Sequence, residues 1–286
     1  MSSVLFDNPG PRTRSRHRLY SLIAGLAMLG IVGLVLWQLG RTGQLEYDLW
    51  EVFVTPAYIQ ALLVDGLLRT LQMAFSSIIL AVAFGMVFGL GKLSDHGWVR
   101  WPSWVIVEFF RAVPVLLMMI FIFFTYGAGE GGIGSYWSVV IALTLYNGSV
   151  LAEVFRAGVL AVPKGQSEAA YAVGMRKSQV MTSVLLPQAV KIMLPAIISQ
   201  CVVALKDTTL GYIILAPGLT EVGKAIFLQF QNHLQTAIVL AAMFIAVNLL
   251  LSWVATWVQH KLVGEKKPLE VSMVGGQAGD SQALLP

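Results

Sequence analysis

Residues 166–174 read QSEAAYAVG, a mildly polar, alanine-rich patch lying between two long apolar runs. The chain around it is 57% hydrophobic and 12% charged over 286 residues, with a mean hydropathy of +0.74. A soluble domain carries about a quarter charged residues, so this composition describes an integral membrane protein. The patch is too polar for hydrocarbon and belongs outside the bilayer. It therefore raises the question of what a short helix beside the membrane does that the spans cannot.

Working outward, apolar runs at residues 19–39, 67–90, 102–124, 137–160, 190–215 and 235–259 are each long enough, at ~20 residues or more, to cross a bilayer. They predict an all-α membrane protein with six transmembrane helices. The first run follows Arg12, Arg14, Arg16 and Arg18, as a signal peptide would. It is longer than an h-region of about 7–15 residues and is read as a retained helix. The segments are then a basic N-terminus 1–18, an additional helix 19–40, a core 62–260 and a tail 261–286. The tail lacks periodicity and reads as disordered.

Cytoplasmic loops retain Lys and Arg. With the N-terminus inside, thirteen of these residues collect on one face of the membrane, against Arg41, Arg69 and Lys224 on the other. Both termini and residues 161–189 are then cytoplasmic. Basic residues sit at the ends of apolar runs and are not interleaved with aromatics, which argues against nucleic acid as a partner. A single cysteine, Cys201, leaves no disulfide and no Cys/His metal set. The sequence holds no G-x-x-x-x-G-K-[ST] phosphate loop, no H-E-x-x-H and no serine elbow, so neither ATP binding by that route nor these hydrolytic chemistries are expected.

Within 161–189, Pro163 and Gly165 interrupt the fourth span, and Ser167 can cap a new helix with Glu168 in its first turn. Gly174 permits a left-handed exit, and Pro187 marks a second break. Ala81, Gly85 and Gly89 recur at a spacing that lets helix backbones approach closely.

The string GQSEAAYAVG followed by VLLPQAVKIMLPAI resembles the EAA loop of ABC importer permeases, in which EAA is followed by a glycine four residues on and then I-x-LP. VEFFRAVPVLLMMIFIFF, LYNGSVLAEVFRAGVLAVPKGQ and LKDTTLG are similar to the polar amino acid permeases of the histidine, glutamine and glutamate uptake group. The resemblance covers residues 62–260. It implies a type I ABC importer permease fold in which Gln166, Glu168, Ala169, Ala170 and Gly174 form a coupling helix that docks on a cytoplasmic ATPase dimer. That ATPase would bind ATP and Mg, while this chain binds no cofactor or metal. A second permease subunit, favoured as a related chain over a second copy, and an extracytoplasmic amino acid-binding protein complete the implied assembly in the membrane lipid. The extra first helix and the tail depart from the many members with five spans, and resemble the longer form of an actinobacterial glutamate-uptake permease.

Ionisable groups at membrane depth are functional candidates by default. Glu108 with Arg111, and Glu153 with Arg156, lie three apart and face each other as intrahelical ion pairs. Lys206, Asp207, Thr208, Thr209 and Asn147 are candidates for a substrate pathway, since hydroxyls, an amide and opposite charges can contact a zwitterion. Lys206 and Asp207 satisfying neighbouring helices is the alternative. An ion-coupled secondary transporter is the competing function, and it predicts an internal repeat and broken helices that the sequence does not display.

Overall fold

A computed structural model describes residues 11–263, and all of its regular elements are helical. Helix α1 runs Pro11–Arg41, so the arginines of the basic N-terminus from Arg12 onward extend the first span. Residues 1–10, and the tail beyond 263 that was read as disordered, lie outside the described residues. After short turns at Asp48–Glu51 and Val52–Val54, α2 spans Pro56–Gly91. It starts at Thr55, extended at ψ 126, with Pro56 in the first turn, where a missing N–H costs nothing and the fixed φ suits the helix.

The third apolar run is not one helix. Helix α3, Gly97–Ala112, and helix α4, Val115–Gly127, meet at a bend of 98°, which corrects the expected single span 102–124. Val113 is extended at ψ 125. The ring of Pro114 disfavours helical geometry in the residue before it and supplies no N–H to carry the ladder through. Uninterrupted hydropathy hid a break that one dipeptide dictates.

Helix α5, Gly134–Leu160, is the centre of the bundle. Val139, Val140, Ala142, Leu143 and Ala152 are fully buried. Helix α2 packs along it through the stripe read from the sequence. A Cβ on Gly85 would sit 2.7 Å from the Cβ of Leu151, and one on Gly89 would sit 2.6 Å from the Ala152 carbonyl oxygen. The small residues therefore set the separation of two helices within the chain.

Helix α6 is Lys164–Ala172, and helix α7 runs Lys177–Ile214 over 38 residues. At ~1.5 Å per residue this is about 57 Å, well beyond the ~30 Å of hydrocarbon, so its first turns stand out of the membrane beside α6. Pro187 does not break it, contrary to the expectation above. The residues before it, Val180–Leu185, form a π-helical stretch, and such a bulge absorbs the kink of a proline inside a helix. Helix α8, Leu219–Phe230, then lies against the start of α2. There the Leu219 N–H donates to the Thr70 hydroxyl at 2.9 Å. Helix α9, His233–Val263, closes the chain against α7 and α8.

Helix α1 stands apart. Its described apolar side chains, from Leu19 at 55% exposure to Trp37 at 59%, lie open along its length. Only the segment that follows is tethered, through Gln235 Nε2 donating to the Gln44 carbonyl and Asn232 Nδ2 donating to the Leu49 carbonyl.

Candidate functional site

Three groupings carry the polar chemistry. The first is α6 and its exit. The helix begins at Lys164 behind Pro163, and the Ser167 hydroxyl donates back to the Lys164 carbonyl at 2.8 Å. Ser167 is therefore inside the helix and not its cap, and Glu168 lies beyond the first turn. This corrects the sequence reading: the extended Pro163 already turns the chain into the helix, one step earlier than a side-chain cap would. The exit is as read. Gly174 has φ +81, its N–H donates to the Tyr171 carbonyl at 2.9 Å, and the Met175 N–H donates to the Ala170 carbonyl at 3.2 Å. This is the paired closure that favours glycine. Ala170 is buried toward α7, whereas Gln166, Glu168, Ala169 and Gly174 are exposed, together with Tyr171 at 49% and Val173 at 78%. Gln166 is further tied to Gln188 at 3.3 Å.

The loop after α6 is locked to the loop between α2 and α3 and to the start of α7. Gln179 Oε1 accepts from the Arg176 N–H at 2.9 Å and so caps α7. Lys177 forms an ion pair with Asp95, in the loop between α2 and α3. The hydrogen bond and charge of Lys177 hold the Asp95 carboxyl below its usual range.

The second grouping joins the two predicted ion pairs. Arg111 lies 3.4 Å from Glu108 and Arg156 lies 3.5 Å from Glu153, each at i,i+3. Between them stands Lys92, whose side chain is 5% exposed and which binds Glu108 at 3.2 Å and Glu153 as well. Arg111 also reaches Glu153 at 4.0 Å. One network therefore fastens α2, α3 and α5 where they meet. Lys92 was legible only as a topological charge, because nothing local links it to residues 16 and 61 positions away.

The third grouping is inside the bundle. Asn147 is buried on α5, donates to the Leu143 carbonyl at 3.1 Å and accepts from Gln200 Nε2 at 2.6 Å. Gln200 on α7 was not foreseen. Thr208 and Thr209 donate to the carbonyls of Leu205 and Lys206 at 2.6 and 2.7 Å. Among the described residues Lys206 and Asp207 form no ion pair, with each other or with a neighbour. Lys206 and Thr209 line a groove of about 580 Å³ between α7 and α9, with Phe244, Asn248 and Ser252. Neither Asn147, Asp207 nor Thr208 lines it, so the five candidate pathway residues do not converge on one cavity. Among the described residues no cluster suited to a metal ion occurs.

A set of membrane-length helices built around one buried helix, with an exposed helix outside the hydrocarbon and polar side chains inside it, is the construction of a membrane permease subunit. The family model described as "Binding-protein-dependent transport system inner membrane component" matches residues 81–264, and the chain belongs to that family. It is similar to the glutamate transport system permease protein GluD of Corynebacterium glutamicum, at 41% identity over 227 residues, covering 78% of this chain and 83% of that protein. It is also similar to the probable glutamine ABC transporter permease protein GlnP of Bacillus subtilis, at 34% identity, covering 68% and 91%. Among solved structures, an amino acid ABC transporter crystallised with histidines superposes with a TM-score of 0.66 at 27% identity, covering 73% of this chain and 98% of that one. An inward-facing methionine ABC transporter shares the fold, with a TM-score of 0.63 at 21% identity. The chain is thus a multi-pass membrane protein with a role in transport.

Proposed function

We propose that this chain is the permease subunit of an ATP-driven importer that takes a polar amino acid, of glutamate type, from an extracytoplasmic binding protein and passes it to the cytoplasm. The observation that carries the reading is α6, a short helix held outside the membrane by its closure at Gly174 and by the Lys177–Asp95 pair. Its outward face is unpartnered and presents Glu168, Ala169, Tyr171 and Val173. Such a lever suits a partner that supplies force, and the sequence has no phosphate loop of its own. ATP and Mg belong on a separate ATPase dimer. A second permease subunit, a related chain rather than another copy, covers part of the exposed apolar surface. With positive residues inside, α6 and both termini face the cytoplasm of a bacterial cell. Asn147, Lys206, Asp207, Thr208 and Thr209 are proposed to serve the substrate pathway, with Gln200 as the partner that orients Asn147.

The test is uptake by proteoliposomes containing this chain, its ATPase, a second permease and a binding protein. Glutamate accumulation that requires ATP and all components is the expected result. Accumulation by this chain alone, driven by a proton or sodium gradient, would replace the reading with a secondary transporter. One broken apolar span, α3 with α4, is present among the described residues, whereas that class builds its site from corresponding broken helices in two halves.

A further inference from the structure

The charge network described above walls a cavity of about 400 Å³, lined by Lys92, Arg100, Trp101, Trp104, Glu108, Arg111, Glu153 and Arg156. Its four cations, Lys92, Arg100, Arg111 and Arg156, face two carboxylates, Glu108 and Glu153, which leaves an excess of two positive charges (4 − 2 = 2). The ion pairs involve Lys92, Arg111 and Arg156, and Arg100 forms none among the described residues. Beside the cavity α3 turns an aromatic face outward, with Trp98 at 92% exposure, Trp101 at 70% and Trp104 at 52%. Exposed indoles at that spacing mark the headgroup level of a membrane. Basic pockets at the ends of membrane helices accommodate lipid phosphates.

We infer that this cavity binds the phosphate headgroup of an anionic phospholipid. Arg100 and the outer edges of Arg111 and Arg156 contact the phosphate, and the Trp101 and Trp104 rings lie along the glycerol and upper acyl region. Lys92 is committed to its two carboxylates and holds the cation array in place. Because the headgroup bridges α3 to α5, the lipid would brace the break at Pro114 on its cytoplasmic side. The leaflet assigned rests on the orientation proposed above, while the chemistry of the site does not.

The test uses the full-length chain in phosphatidylcholine vesicles doped with brominated phosphatidylglycerol or brominated phosphatidylcholine, and reads quenching of tryptophan fluorescence. The contribution of the site is the part lost in Trp101→Leu/Trp104→Leu. Phosphatidylglycerol should quench that part at a lower mole fraction than phosphatidylcholine. Arg100→Gln should cut the preference about fivefold, the effect of one basic residue at an anionic surface, and Arg100→Lys should largely retain it. The same dose dependence for both lipids, or an undiminished preference in Arg100→Gln, would overturn the inference. So would relief of the quenching by inorganic phosphate or free glutamate, which would make this a site for soluble anions. Since quenching is read without ATP or uptake, a failure here is separate from a failure of the importer reading.

Discussion

Lys92 shows what one side chain contributes. It is nearly fully buried between two carboxylates, and removing it takes away their buried cation and leaves them the more exposed Arg111 and Arg156 as partners. Glu108 and Glu153 are 40% and 25% exposed, so solvent screens part of the loss. Lys92→Met should lower stability by about 1–3 kcal/mol and Lys92→Arg by less, measured as thermal unfolding midpoints in one detergent. Equal midpoints for Lys92→Met and the parent chain would show that the buried cation contributes nothing. Asp95 gives a dependence on pH. Its carboxyl is held low by Lys177, so the pair's contribution is in place above the ordinary carboxylate value of about 4. It is lost as pH falls from there through the lowered value. An Asp95→Asn variant should differ from the parent in protease sensitivity of the α6–α7 loop at neutral pH, and the two should converge in strong acid. A difference that persists there would mean that the ion pair is not its source.

At the scale of elements, the α2–α5 contact is the most extensive. An alanine at Gly89 would place its Cβ 2.6 Å from a backbone oxygen, which cannot move out of the way as a side chain could. Gly89→Ala should therefore separate the helices and lower the recovery of monodisperse protein, whereas Gly25→Ala, in the open α1, has nothing within 4 Å to meet and should behave as the parent. Size-exclusion profiles distinguish them. Deleting residues 1–38 should likewise leave complex assembly intact, because the described side chains of α1 from Leu19 to Trp37 lie exposed and the tethers at Gln44 and Leu49 remain. Much of this level was legible in the sequence. Runs of apolar residues located the spans, and the Ala81, Gly85 and Gly89 stripe announced a close approach. Two prolines misled in opposite directions. Pro114 breaks a run that hydropathy joins, because its predecessor Val113 is extended, whereas Pro187 breaks nothing, because a π-turn precedes it. Periodicity does not record backbone geometry at single residues. Nor does it record pairs far apart in the chain, so Lys92 with Glu153 and Asn147 with Gln200 became visible only in three dimensions.

For the whole molecule, the central proposal is that α6 acts as the lever between an ATPase and the bundle. Gly174 closes that helix at φ +81 with open space around it, so a substitution there acts through the backbone and not through crowding. Valine is strongly disfavoured at positive φ, and Gly174→Val should distort the α6 exit while leaving the spans to insert normally. The direct measurement is co-purification of the ATPase with this variant, together with ATP-driven uptake in liposomes. Gly174→Val should insert at the parent's level and lose both ATPase binding and uptake. Full retention of ATPase binding and coupled uptake would contradict the proposal.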